Sequence, residues 1–178
     1  RELASPLWHH AVSVSGGQQI CLQEVVPEAN AGDRASGTAQ VVNNHAFVFD
    51  HVYDQDTSQP DVYAGTAHAS VSSMLQGYNA TILAYGPTGT GKTFSMEGCR
   101  MSRSAKSDMR GIIPRSMEDV FQHIAQCRDP QKRFIVRASY LQIYNEVISD
   151  LLKPARSNLM IREDRRRGVF VDGLSEWL

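Results

Sequence analysis

Between Ser58 and Gly77 the apolar side chains fall at Tyr63, Ala67, Val71, Met74 and Leu75, the spacing of one helical face. Ser58 followed three residues later by Asp61 forms a capping box, Pro60 suits a first helical turn, and Gly77 supplies a stop. The pattern then changes: ATILAY, Ala80 to Tyr85, is an unbroken apolar run between Asn79 and Gly86, as a strand buried on both faces would be. A second helical stripe runs through Met117, Val120, Phe121, Ile124 and Ala125. Polar–apolar alternation predicts strands in VSVSGGQQICLQEV and HAFVFDHVY, paired as a hairpin around the loop from Pro27 to Gln40. RFIVRASYLQIY is a long β-rich run, VISDLL reads as a short helical turn, and VFVDGL (Val169 to Leu174) is a last strand. A second polar loop covers Gly98 to Gly111. Strands interleaved with helices predict an α/β protein, and 178 residues suit one domain.

Composition excludes several classes. Hydrophobic residues make up 42% and charged residues 21%, the balance of an ordinary globular protein. A formal net charge of -1 gives no global basic field for nucleic acid. No apolar run approaches the ~18 residues of a membrane span, and the first residues lack the apolar core of a signal peptide. Cys21, Cys99 and Cys127 are odd in number and form no CxxC pair, so mostly buried thiols in a reducing, cytosolic compartment are expected.

The chemistry concentrates in Gly86-Pro87-Thr88-Gly89-Thr90-Gly91-Lys92-Thr93, which matches G-x-x-x-x-G-K-[ST] directly after the predicted strand. Glycines at 86, 89 and 91 let the backbone curl with positive φ and turn successive N–H groups inward. Those donors, with the positive end of the following helix, suit phosphate oxygens. Lys92 is a compact cation for the β- and γ-phosphates, and the Thr93 hydroxyl can ligate Mg²⁺. The loop is therefore expected to hold a nucleoside triphosphate. Hydrolysis needs a further carboxylate near the metal and a group that positions water. Asp50 ends FVFD before the loop and Asp150 follows VIS, and neither fits that role.

The flanks of the loop carry a resemblance. YNATILAYGPTGTGKTFSMEG (Tyr78 to Gly98) resembles the phosphate-loop segment of the kinesin motor domain. FVFDHVYDQDTSQPDVY, GIIPRSMEDVF, SYLQIYNEVISDLL and LMIREDRRRGVFVDGLSE resemble other kinesin blocks in the same order. The resemblance spans nearly the whole chain. It implies a phosphate-loop NTPase-type three-layer sandwich around a central mixed β-sheet, incomplete here, with residues 1–178 as the N-terminal portion of one motor domain truncated at both ends. The implied activity is a microtubule-stimulated ATPase that moves or exerts force on microtubules in the cytoplasm, with ATP or ADP and Mg²⁺ at Gly86 to Thr93. Tubulin is the implied partner, and oligomeric state would be set by regions outside the chain.

Phe94 falls where kinesins place an aromatic residue or His against adenine; its plainer role is a contact in the first helical turn. Arg165, Arg166 and Arg167 lie in the segment that forms a β-tubulin-facing lobe in kinesins, and three guanidiniums would steer it to an acidic surface. A solvated turn beside Glu163 and Asp164 explains them equally well. Gly98 to Gly111 matches a surface loop of variable length beside the nucleotide. Pro87 departs from the Gln common in the family, removing an amide side chain and a backbone donor.

The family's Arg-x-Arg-Pro element would precede Arg1. Its two switches, its main microtubule-binding helix and its neck would follow Leu178. Residues 80–85 would then lack sheet neighbours on both sides, at ~1–3 kcal/mol per buried unpaired group against a total stability of ~5–15 kcal/mol. The chain alone is thus expected not to fold stably as a motor. A second reading follows, of a non-catalytic structural module that keeps the nucleotide cradle or tubulin-facing lobe and lacks the switches. A small phosphate-loop kinase finds no support, because no substrate lid or downstream acidic strand end is visible.

Overall fold

The computed structural model describes residues 12–26, 40–99 and 107–178. The chain divides into two compact units, Arg1–Ala125 and Gln126–Leu178.

The first unit opens with an antiparallel sheet in the order β1-β2-β3: β1 (Val12–Ser15), β2 (Gln19–Val26) and β3 (Gln40–Val48). Gly16 and Gly17 take positive φ in the β1–β2 turn, and Ile20 pairs with Phe47 across β2 and β3. The expected hairpin around the first loop is thus present, although residues 27–39 lie outside the described residues. A helical segment follows as α1 (Gln59–Val62), a π-helical turn at Tyr63–Ala67, and α2 (His68–Leu75). Its start is built as expected: Ser58 is the N-cap and accepts a hydrogen bond from the Asp61 amide, with Pro60 in the first turn. α3 (Lys92–Met96) and α4 (Ile112–Gln126) complete the unit.

Tyr63, Ala67 and Ile112 form a buried cluster, with Ile82 and Met96 packed against it. Four stretches of chain meet in it, so the segments on both sides of the glycine-rich loop share one anchor. The predicted helical face is only partly buried: Val71 is covered, whereas Met74 and, on α4, Met117 and Phe121 are exposed.

Residues 80–85 depart from the expected buried strand. They have no sheet partner among the described residues, and Leu83 and Tyr85 are 83% and 95% exposed. A central strand depends on neighbours along both edges for its hydrogen bonds, and apolar sequence alone cannot supply them. For the same reason the β-rich run 133–144 is a strand only at its end.

Between α3 and α4 the chain closes on itself. Gly98 and Arg110 form an isolated antiparallel bridge, and the Cys99 amide donates to the Met109 carbonyl at 3.0 Å. A Cβ on Gly98 would stand 2.2 Å from that carbonyl, so the close approach requires glycine. Residues 100–106 lie outside the described residues.

The second unit consists of two antiparallel hairpins, β4 (Leu141–Tyr144) with β5 (Val147–Asp150) and β6 (Met160–Asp164) with β7 (Gly168–Asp172). VISD is therefore a strand, correcting the expected helical turn. The signal is the turn before it, where Asn145 and Glu146 both take positive φ, as a two-residue type I′ hairpin demands. β7 matches the predicted last strand, and β6 was not foreseen. Asp150 is fully buried and accepts hydrogen bonds from the amides of Leu152, Lys153 and Ser175. The Ser175 hydroxyl lacks a well-aligned partner, so the amides are the firmer contacts. The three cysteines are free thiols and are less buried than expected: Cys99 is exposed, and Cys21 and Cys127 are half-buried.

Candidate functional site

The loop from Gly86 to Thr93 has the backbone form its glycines anticipate. Gly86, Gly89 and Gly91 have φ of 150°, 88° and 89°. Gly91 is the N-cap of α3 in the left-handed region, a conformation costly for any residue with a Cβ. The Thr90 hydroxyl donates to the Pro87 carbonyl at 2.8 Å and stands where a Cβ on Gly86 would be crowded. Among the described residues, none of the amides of Thr88, Gly89, Gly91, Lys92 and Thr93 donates a backbone hydrogen bond. Donors left open on a positive-φ turn form a concave surface suited to an anion. Thr93 is exposed.

Lys92 is not extended from the loop. Its ammonium donates to the carbonyls of Gly86 and Pro87, each at 2.8 Å, and so folds over the start of the loop. Phe94 is 45% exposed, with its carbonyl turned toward the protein.

Two long-range side-chain contacts were not foreseen from the sequence. Gln59 is 8% exposed, and its side-chain amide donates to the Phe94 carbonyl at 2.7 Å. Tyr63 donates its hydroxyl to Asp119 on α4; burial first, then that hydrogen bond and charge, push its pKa from 10.0 to about 12. Neither pairing has a signature in the spacing, because the partners are 35 and 56 residues apart.

In the second unit the three arginines sit at the β6–β7 turn. Asp164 accepts the amides of Arg166 and Arg167, in that order the main reasons its carboxyl is held below the usual range. The Arg167 guanidinium lies 4.6 Å from the Phe170 ring centre, while Arg165 and Arg166 are exposed on the tip. The turn thus separates one arginine, folded onto the hairpin, from two directed at solvent. Among the described residues no cluster of His, Cys, Asp or Glu could hold a metal ion, and no helix is long and apolar enough to cross a membrane.

The family model for the kinesin motor domain matches residues 11–178. The chain belongs to the kinesin motor domain family. The human kinesin-like protein KIF15 is 40% identical over 170 residues, covering 92% of this chain and 12% of its own length. Kinesin-related protein 3 of Dictyostelium discoideum is 45% identical over 134 residues, covering 75% of this chain and 11% of its own. A solved structure of a fast kinesin, described for its implications for ATPase mechanism and interactions with microtubules, matches with a TM-score of 0.76. That match is 34% identical and covers 94% of this chain and 42% of the other. The kinesin-like α/β fold is thereby shown, with this chain spanning less than half of the solved one.

Proposed function

We propose that this chain is the ATP-binding part of a microtubule-based motor, a kinesin ATPase whose turnover is stimulated by its track. The observation that carries the proposal is the loop 86–93, with three positive-φ glycines and a row of open amides in a kinesin chain. In this reading Gly86, Pro87, Thr88, Gly89, Thr90 and Gly91 wrap the phosphates through the backbone. Lys92 leaves the Gly86 and Pro87 carbonyls to meet the phosphate charge, and Thr93 offers its hydroxyl to Mg²⁺. When bound, the metal would neutralise charge on the phosphate oxygens. Phe94 supplies its exposed ring to the adenine. Arg165 and Arg166 face the acidic surface of tubulin, which assigns the protein to the microtubule cytoskeleton.

The test is steady-state ATP hydrolysis by the full-length protein with and without microtubules, beside Lys92→Ala. The expected result is microtubule-stimulated turnover that the substitution abolishes. Turnover indifferent to both would defeat the proposal. Tight Mg·ATP binding without turnover would favour the non-catalytic docking module instead.

A further inference from the structure

We propose that Gln59 is a positioning residue for the phosphate loop, setting the direction of α3 through its hydrogen bond to the Phe94 carbonyl. The inference rests on the reading of residues 86–93 as a nucleotide cradle.

The argument begins with the length of α3. It has five residues, Lys92–Met96, and an isolated helix so short is unstable in water. Its direction must therefore come from outside contacts. On the apolar side, Met96 packs against the cluster of Tyr63, Ala67 and Ile112. Apolar contact is not directional, so it locates the helix end without fixing its rotation. Beyond the helix end, the Gly111 amide donates to the Glu97 carbonyl at 3.2 Å and Gly98 bridges to Arg110. Within the helix, the polar tether is Gln59, whose side-chain nitrogen donates to the Phe94 carbonyl at 2.7 Å.

The Phe94 carbonyl also accepts the Gly98 amide at 2.9 Å, the bond that closes the helix. Gln59 thus adds a side-chain donor to a mid-helix carbonyl that already serves the backbone amides closing α3. A buried amide side chain loses its hydration and needs such a partner, so the contact is not an incidental surface bond.

Gln59 is itself held firmly. It is the first residue of α1, directly after the Ser58 cap and before Pro60, and it is 8% exposed. Capping and proline fix its backbone, so its side chain approaches α3 from a set direction. Phe94 follows Thr93 directly and lies two residues beyond Lys92. A rotation of the Phe94 peptide therefore swings the two side chains proposed to meet phosphate and Mg²⁺. Removing the tether lets α3 sample several directions, and apparent affinity falls with the fraction that remains binding-competent. Because the tether ends on the carbonyl, the Phe94 ring stays available for adenine.

The experiment measures Mg·ATP affinity and melting midpoint in the full-length protein for the wild type, Gln59→Met, Gln59→Glu, Val71→Ala and Lys92→Ala. Methionine keeps the length of glutamine and loses the donor. Glutamate keeps the shape and turns a carboxylate toward the carbonyl, and it gives the same readout should the methionine variant fold poorly. Val71 is buried on α2 and makes no part of the cradle, so its truncation lowers stability alone. The expected result is about tenfold weaker binding for Gln59→Met, the worth of one ordinary hydrogen bond, and at least that for Gln59→Glu. Val71→Ala should stay within about twofold of the wild type despite a lower midpoint. Affinities for both Gln59 variants within twofold of the wild type, or an equal loss in Val71→Ala, would overturn the inference. A wild type that does not bind Mg·ATP, or a Lys92→Ala variant that binds equally well, would instead defeat the cradle reading.

Discussion

The Asp150 carboxylate accepts the backbone amide of Ser175 at 2.9 Å, joining two parts of the chain 25 residues apart. With the amides of Leu152 and Lys153 on its other oxygen, this carboxylate gathers three backbone amides of the second unit. Its pKa is held down from 3.8 to about 2, first by the Ser175 hydroxyl and then by the amides of Ser175, Lys153 and Leu152, with burial opposing. The ionised form is the one the fold binds. Its stabilisation is fully present above the unfolded value of 3.8 and is lost as pH falls through about 2. Asp150→Asn should reduce hydrogen-exchange protection of the Leu152, Lys153 and Ser175 amides at neutral pH. The difference from the wild type should shrink as the solution is acidified toward pH ~2. Equal protection at neutral pH would show that the carboxylate is dispensable.

Tyr63 gives the opposite sign. Its hydroxyl, tied to Asp119, is held protonated to about 12, so its contribution is present below the unfolded value of 10.0 and lost as pH rises through about 12. Tyr63→Phe should cost about 1 kcal/mol in urea unfolding near neutrality. It should also remove the Tyr63 component of alkaline destabilisation, followed by phenolate absorbance. An unchanged alkaline profile would count against the role of this pair.

Gly91 stands at φ 89° directly before Lys92. Gly91→Ala imposes a left-handed cost of ~1–2 kcal/mol on the cradle, and Mg·ATP titration should show affinity weakened by about tenfold or more. Binding at the wild-type level would mean that the left-handed turn is not needed by the bound form.

Arg165→Ala and Arg166→Ala should each weaken microtubule cosedimentation by a few-fold at low ionic strength, with the gap closing as salt is raised. Arg167→Ala should act through the hairpin, because its guanidinium rests on Phe170. Salt-independent losses, or none, would favour a merely solvated turn.

Legibility followed the range of the forces involved. The start of α1 could be read because Ser58, Pro60 and Asp61 act within one turn of helix. The cradle glycines could be read because each fixes its own backbone. The fate of residues 80–85 depends on strands elsewhere in sequence, so their apolar letters suggested a burial that the chain does not provide. The short helical turn expected at VISD failed because the positive-φ Asn145–Glu146 turn folds that segment back as a hairpin. Gln59 was invisible for a related reason: a polar letter at a helix start looks solvent-facing until the distant Phe94 carbonyl is placed above it.

The bridge between Gly98 and Arg110 has an evolutionary consequence. Since the two ends of the intervening loop are already fastened to each other, each doubling of its length adds only ~0.6 kcal/mol of closure entropy. Insertions there can accumulate without disturbing the helices on either side. The pinched base lets the segment between Gly98 and Arg110 change in length while α3 and α4 keep their places.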